Sequence, residues 1–310
     1  MASTPKSYVV TEVYNSTNFF DKFDFFTSVL SGDVLDADPS WGYVQYQSRA
    51  IAEELGLVSA DKDGVYIGAE SDLTYNPFGY GRKSVRLEGR NTYSHGLFIA
   101  DFSHLPKPTC GAWPSFWMFG DPWPTKGEID IVENWNDLEF NRNTAHVDHS
   151  SVVGDCTIKS TDMTASLIEA QNCDNYDPAQ YSNQGCSADV YGLPFGSSSG
   201  GVYALEWTSD YLKIWSWTHL LTPNDITSGT PQPSNWGKPN FVIQDCNIDK
   251  AFTDMKFILN IDFCGVAGLD GIWDSCKAKT GYDTCTGYVA ENPKDFEEVY
   301  FQIEDIKIYE

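Results

Sequence analysis

Between Gly127 and Asp137 the chain reads GEIDIVENWND, and every residue separating Glu128, Asp130 and Glu133 is Ile or Val. A strand sends alternate side chains to opposite faces. Glu128 and Asp130 therefore share one face, and Ile129 and Ile131 take the other. A regular strand would turn Glu133 toward the isoleucines, and burying that charge unpaired costs several kcal/mol. An extra residue within Ile131–Val132, a β-bulge, shifts the alternation by one and returns Glu133 to the acidic face. The segment is thus expected to be a central strand with one wet face and one dry face.

The rest of the chain fits such a strand into a sandwich. Period-2 runs rich in Val, Ile, Tyr, Phe and Trp recur at 84–89, 96–102, 202–217, 255–263 and 299–309, separated by Gly, Pro, Asn, Asp and Ser. The segment 48–56 is the main helical candidate. Many strands with almost no βαβ alternation predict an all-β fold, an antiparallel β-jelly-roll sandwich. Neither a repeat nor a linker breaks the 310 residues, so a single domain over 1–310 is expected. Residues 145–200 are polar, cysteine-bearing and loop-like.

A net charge of −24 leaves no basic footprint for nucleic acid and none for an anionic membrane, and no apolar run is long enough to span a bilayer. The ligand is expected to be neutral or cationic, and the acidity itself serves solubility. Eight cysteines without a CxxC pair predict four disulfides and a secreted, extracellular protein. Local pairs Cys173–Cys186 and Cys276–Cys285 are preferred on spacing, Met1 is read as a start that replaced a removed signal peptide, and Asn15-Ser16-Thr17 is a glycosylation sequon.

Two glutamates four strand-steps apart stand roughly 13 Å apart at Cα and can lean toward one another. That is compatible with a retaining glycosidase, whose carboxyls lie about 5–5.5 Å apart, against about 6.5–9.5 Å for an inverting one. Crowded carboxylates cannot all ionise, so at least one stays protonated to serve as an acid. The alternatives for the triplet are a solvated strand face or a Ca²⁺ site. Upstream, CGAWPSFWMFGDPWP places Trp113, Trp117 and Trp123 within eleven residues, and indole faces stack on the flat sides of sugars. Of the three, Trp113 is assigned to the core. GSSSG at 196–200 matches GxSxG formally, but lacks the strand-turn-helix setting of a nucleophile elbow, and HVDH at 146–149 lacks a third metal ligand.

WPSFW followed by GEIDIVE resembles the signature of glycoside hydrolase family 16, on the branch that includes secreted fungal laminarinases, the endo-β-1,3(4)-glucanases. GRKSVR (81–86), His146, LNIDFCG (259–265), the eight cysteines and the closing IEDIKIY (303–309) follow in the family's order, so the likeness covers essentially the whole chain. The resemblance implies a jelly roll with a concave substrate cleft and retaining hydrolysis without cofactor or metal. Glu128 would be the nucleophile, Glu133 the acid/base, and Asp130 the residue that tunes the pair. Trp117 and Trp123 would be glycone-side platforms. His146 matches a histidine near the acid/base, or else a structural histidine. Arg86 matches an arginine that reaches substrate hydroxyls, or else an exposed strand charge. Gln45 stands where relatives carry a sugar-binding Asn. The substrate implied is a β-glucan such as laminarin or lichenan, taken by a monomer. A cell-wall β-glucan transglycosylase and a non-catalytic β-glucan-binding module are the alternatives. One departure stands out. Many fungal relatives carry a tryptophan within two residues of FCG, whereas here Val266-Ala267-Gly268 follow, and the next aromatic is Trp273.

Overall fold

The computed structural model describes residues 8–310 except 29, 32–33, 36–37 and 169, so the trimmed terminus expected at Met1 lies outside the described residues. Two eight-stranded sheets dominate. The first runs Phe241–Ile243, Leu212–Trp217, Gly201–Trp207, Gly96–His104, Tyr300–Tyr309, Gly64–Gly68, Val58–Asp61, with Val10–Asn15 also paired to Tyr300–Tyr309. The second runs Ser166–Leu167, Cys186–Tyr191, Phe140–His146, Glu128–Glu133, Ala112–Gly120, Met255–Phe263, Arg86–Gly89, Phe23–Phe26. Pairing within both is antiparallel, as in the expected jelly-roll sandwich. The period-2 runs became strands, and the helical candidate became Arg49–Glu54.

Alternation explains how the layers meet. Phe98 and Phe102 from the first sheet meet Phe257 and Phe116 from the second edge-to-face, at centroid distances of 5.4 and 5.6 Å. All four are essentially inaccessible. Burying each such ring stabilises the sandwich by about 1.5–3 kcal/mol relative to leaving it in water. The first sheet is covered on its outer side too, where Leu97, Ile99, Val202, Ala204 and Trp215 pack with Trp236 and Tyr8. Strand Gly201–Trp207 is therefore buried along its whole length. Among the described residues, the second sheet's outer face carries mainly polar and aromatic side chains, with Ile258 buried between them.

Four disulfides tie the chain together, with most of their cysteines in the buried core. Cys173–Cys186 closes the polar segment as expected. The expected Cys276–Cys285 pair does not form. Cys276 bonds Cys110 and Cys285 bonds Cys264, while Cys156 joins Cys246. Spacing favoured a short loop, but Cys276 lies in the helix Asp274–Thr280 and Cys285 opens the next one, Cys285–Glu291. Each meets a different strand terminus at the same end of the sheet, Cys110 before Ala112–Gly120 and Cys264 after Met255–Phe263. Among the described residues, no helix is long and apolar enough to cross a membrane.

GSSSG proves to be a turn that leads into strand Gly201–Trp207, with Gly200 N–H donating to Ser197 O, so no helix follows it.

Candidate active site

The bulge lies where the spacing of the acids demands it. Phe116 pairs with Val132 and Trp117 with Asp130, so Ile131 is the extra residue. Ile129, Ile131 and Val132 are buried, and Glu128, Asp130 and Glu133 emerge together on the outer face. A bulge leaves backbone groups without ladder partners, and on the far side the pairing with Phe140–His146 stops after Asp130↔Thr144. Two asparagine side chains take over. Asn141 accepts from Glu133 N–H at 2.9 Å and donates to Ile131 O at 3.0 Å, and Asn143 donates to Asp130 O at 3.0 Å and to Ile131 O at 2.8 Å. Both amides are buried on the apolar side of their strand, and each Nδ2 spends its hydrogen bonds on the bulge backbone.

The neighbouring strands supply the surroundings. Trp123 Nε1 donates to Glu128 Oε2, and Trp113 Nε1 donates to Glu133 Oε1 at 2.9 Å. His146, opposite Glu128 across the strand pair, stands 3.9 Å from Glu128 Oε1 and 3.9 Å from Asp130 Oδ2, with Nδ1 held by Asn175 Oδ1 at 2.9 Å. Trp117 donates to Asn260 Oδ1 at 2.7 Å, and the Arg86 guanidinium lies 5.2 Å over its ring.

Burial lifts all three carboxyls. Glu133 is pushed up to about 7, chiefly by desolvation, with the Glu128 charge adding and the Trp113 hydrogen bond opposing. Desolvation also raises Glu128, but His146, the Trp123 hydrogen bond and Arg86 all favour its charged form. Asp130 is raised well above the carboxylate range by burial and by the charges of Glu133 and Glu128. The three titrate as one system. Glu128, Asp130 and His146 also bring donor atoms within 4.8 Å of one another, so they could hold a cation, in competition with the protons that burial keeps on the acids.

Several expectations need correction. Trp113 is not a core residue; it is half-buried on the outer face and bonded to Glu133. Arg86 is no exposed strand charge, being 5% accessible and paired with Glu88 at 2.9 Å. His146 neighbours Glu128 and Asp130 more closely than Glu133. Gln45 lies in the short strand Val44–Tyr46, and its amide donates to Gly81 O at 2.7 Å. Trp273 is core, 2% accessible and donating to Tyr282 O at 3.1 Å, so it does not fill the gap after Gly265. His149 stacks on Tyr176 away from the acids. Sequence reasoning missed Asn141, Asn143 and Asn260. For Asn141 and Asn143 the signal was the Asn-Arg-Asn alternation in a strand, since Asn is depleted there unless it has backbone to satisfy.

A family model described as an XgeA-like catalytic domain of glycoside hydrolase family 16 matches residues 34–309. The chain belongs to glycoside hydrolase family 16. Similar curated proteins include a probable glycosidase of Schizosaccharomyces pombe, 37% identical over 312 residues, covering 98% of this chain and 70% of the relative. A probable endo-1,3(4)-beta-glucanase of Aspergillus clavatus is 37% identical over 313 residues, covering 98% of this chain, and this chain spans only 47% of that relative. Among solved structures, an elongating family 16 beta-1,3-glucosyltransferase superposes with a TM-score of 0.85 at 35% identity, covering 98% of this chain and 100% of that one. Laminarinase 16A of Phanerochaete chrysosporium, with β-glucans in both donor and acceptor sites, gives 0.85 at 30% identity over 98% of this chain and 100% of that one.

Two outcomes test the site as described. Asn141→Ala strands Glu133 N–H and leaves Ile131 O with Asn143 alone, and should lower unfolding free energy by about 1–3 kcal/mol in urea titrations; an unchanged midpoint would mean the bulge does not rely on Asn141. Trp113→Phe removes a donor that favours the Glu133 carboxylate. The Glu133 titration, followed by carboxyl ¹³C NMR, should therefore move to higher pH by roughly 0.5–1. A fall, or no change, would contradict the assigned pairing.

Proposed function

We propose that the chain is a retaining endo-glycosidase that hydrolyses internal β-1,3 bonds of β-glucans such as laminarin, and β-1,4 bonds in mixed-linkage glucans such as lichenan, by double displacement. The observation that carries the reading is the bulge, which brings two differently partnered glutamates and one aspartate onto the same open face. Glu128 has more partners that favour its charge, so it is the group to ionise and attack, whereas Glu133, with its proton held to about pH 7, is the group to donate.

In the first step a Glu128 oxygen attacks the anomeric carbon while Glu133 gives its proton to the departing glycosidic oxygen. The sugar–oxygen bond breaks and a glycosyl ester forms on Glu128. Glu133, now a carboxylate, then takes a proton from water as that water attacks the anomeric carbon, and the Glu128 carboxylate leaves. Asp130, held protonated beside Glu128, donates a hydrogen bond that limits the charge Glu128 must carry while waiting. Trp117 and Trp123 supply stacking faces, and Arg86 with His146 supplies polar contacts around the sugar. No cofactor enters this scheme. The four disulfides support secretion.

A second reading has a specific observation behind it. A solved structure 35% identical to this chain is an elongating β-1,3-glucosyltransferase. The same ester on Glu128 would pass to a sugar hydroxyl in place of water. A binding module without catalysis would have no use for three buried acids, whose charges cost stability.

Laminarin and lichenan digestion followed by proton NMR tests the proposal, with and without an added oligosaccharide acceptor. The β-anomer should form first, and Glu128→Ser should lower the rate by at least about a thousandfold. First-formed α-anomer would overturn retention, and undiminished turnover by Glu128→Ser would overturn its role. Elongated products in place of shorter ones would favour the transferase reading.

A further inference from the structure

Trp41 is 82% exposed, and its φ of 60° lies in the left-handed region that non-glycine residues seldom occupy. Two costs meet at one residue, an apolar ring in water and a strained backbone, and the surroundings hold both in place. Asp38, itself buried, accepts from Ser40 N–H at 3.0 Å and from Gly42 N–H at 2.9 Å, while Trp41 N–H donates to Asp38 O at 2.9 Å. Gly42 then bridges to Cys264, and Tyr43 N–H donates to Phe263 O at 2.6 Å. Strain retained by such over-determination points to use of the residue it positions.

The turn can be placed relative to the acids. Gly42 sits over the Asp262 carboxyl so closely that a Cβ there would fall 1.8 Å from Oδ1. Asp262 shares the open face with Trp113, its partner across the strands, and Trp113 is bonded to Glu133. Gly265 closes the chain of contacts, since a Cβ on it would lie 2.6 Å from Ser40 O and 3.3 Å from the Trp113 ring. Trp41 therefore rises beside the end of strand Met255–Phe263. That strand is two places from Glu128–Glu133 in the sheet, on the side of Trp117 and Arg86. Two strand spacings make roughly 10 Å, a distance that a sugar beyond the reacting one would bridge.

We propose that Trp41 is a stacking platform for a glucosyl unit remote from the cleaved bond, so that it sets how strongly the chain prefers long β-glucans over short ones. The inference rests on the glycosidase reading above. A bare indole on a rigid turn offers a flat apolar surface at small entropic cost, which suits the faces of a β-linked glucosyl ring. Because the contact lies away from the reacting carbon, it acts on binding more than on the chemical step.

The test is kcat/KM along the series from laminaritriose to laminariheptaose for wild type, Trp41→Ala, Trp41→Phe and the distant control Leu220→Ala, whose residue is 92% exposed beside the other sheet. Trp41→Ala should lose about three- to tenfold on the longest substrate. The loss should sit in KM and shrink as the substrate shortens, with Trp41→Phe recovering most of it and Leu220→Ala changing nothing. A loss equal at all lengths, or none at any, would overturn the platform while leaving the glycosidase reading intact. A wild type that cleaves no β-glucan would overturn both.

Discussion

One local irregularity, the extra residue at Ile131, governs what this sheet can do. A strand without it would send Glu133 into an apolar layer already filled by Ile129, Val132 and the rings of Phe116 and Phe257. With it, Glu128, Asp130 and Glu133 share a face. The opened ladder is closed again by two asparagine amides that would otherwise have no place in a core. The stability of the sandwich and the grouping of the acids thus depend on the same few hydrogen bonds.

The face so created is a graded electrostatic environment. All three carboxyls lose water, but they do not lose it alike in consequence. Glu128 is offered His146, the Trp123 indole and Arg86, whereas Glu133 has the Trp113 indole and the weaker pull of His146 and Arg142 set against the Glu128 charge. Asp130 lies between two acids and keeps its proton. Differences of partner, with burial in common, let chemically similar side chains hold protons differently at one pH. Tryptophans serve here as N–H donors that bias ionisation.

Much of this was legible in the sequence, and the reasons are physical. Period-2 patterning fixes which side chains face the core, so the sandwich and its principal strands could be read directly. The five-residue interval between Glu128 and Glu133 conflicts with that period, and so revealed the bulge. What could not be read depends on contacts across distant segments. Cys110 meets Cys276 only because a loop and a helix pack together at one end of the second sheet. Trp113 looked like core because nothing local shows that its ring faces Glu133. Gln45 turns to the carbonyl of Gly81, and Trp273 disappears beneath a helix, both decided by loop paths. Trp41 carried no pattern at all; its meaning comes from Asp38, Gly42 and Cys264 converging around it.

The central claim is that the bulge presents Glu128 to attack and Glu133 to donate. The most direct measurement is tandem mass spectrometry of the peptide that carries both, after reaction with a 2-deoxy-2-fluoro-β-glucosyl inactivator that accumulates the covalent intermediate. The expected result is one sugar, on Glu128. A sugar on Asp130 or Glu133 would contradict the account, as would turnover with no covalent adduct at any of the three.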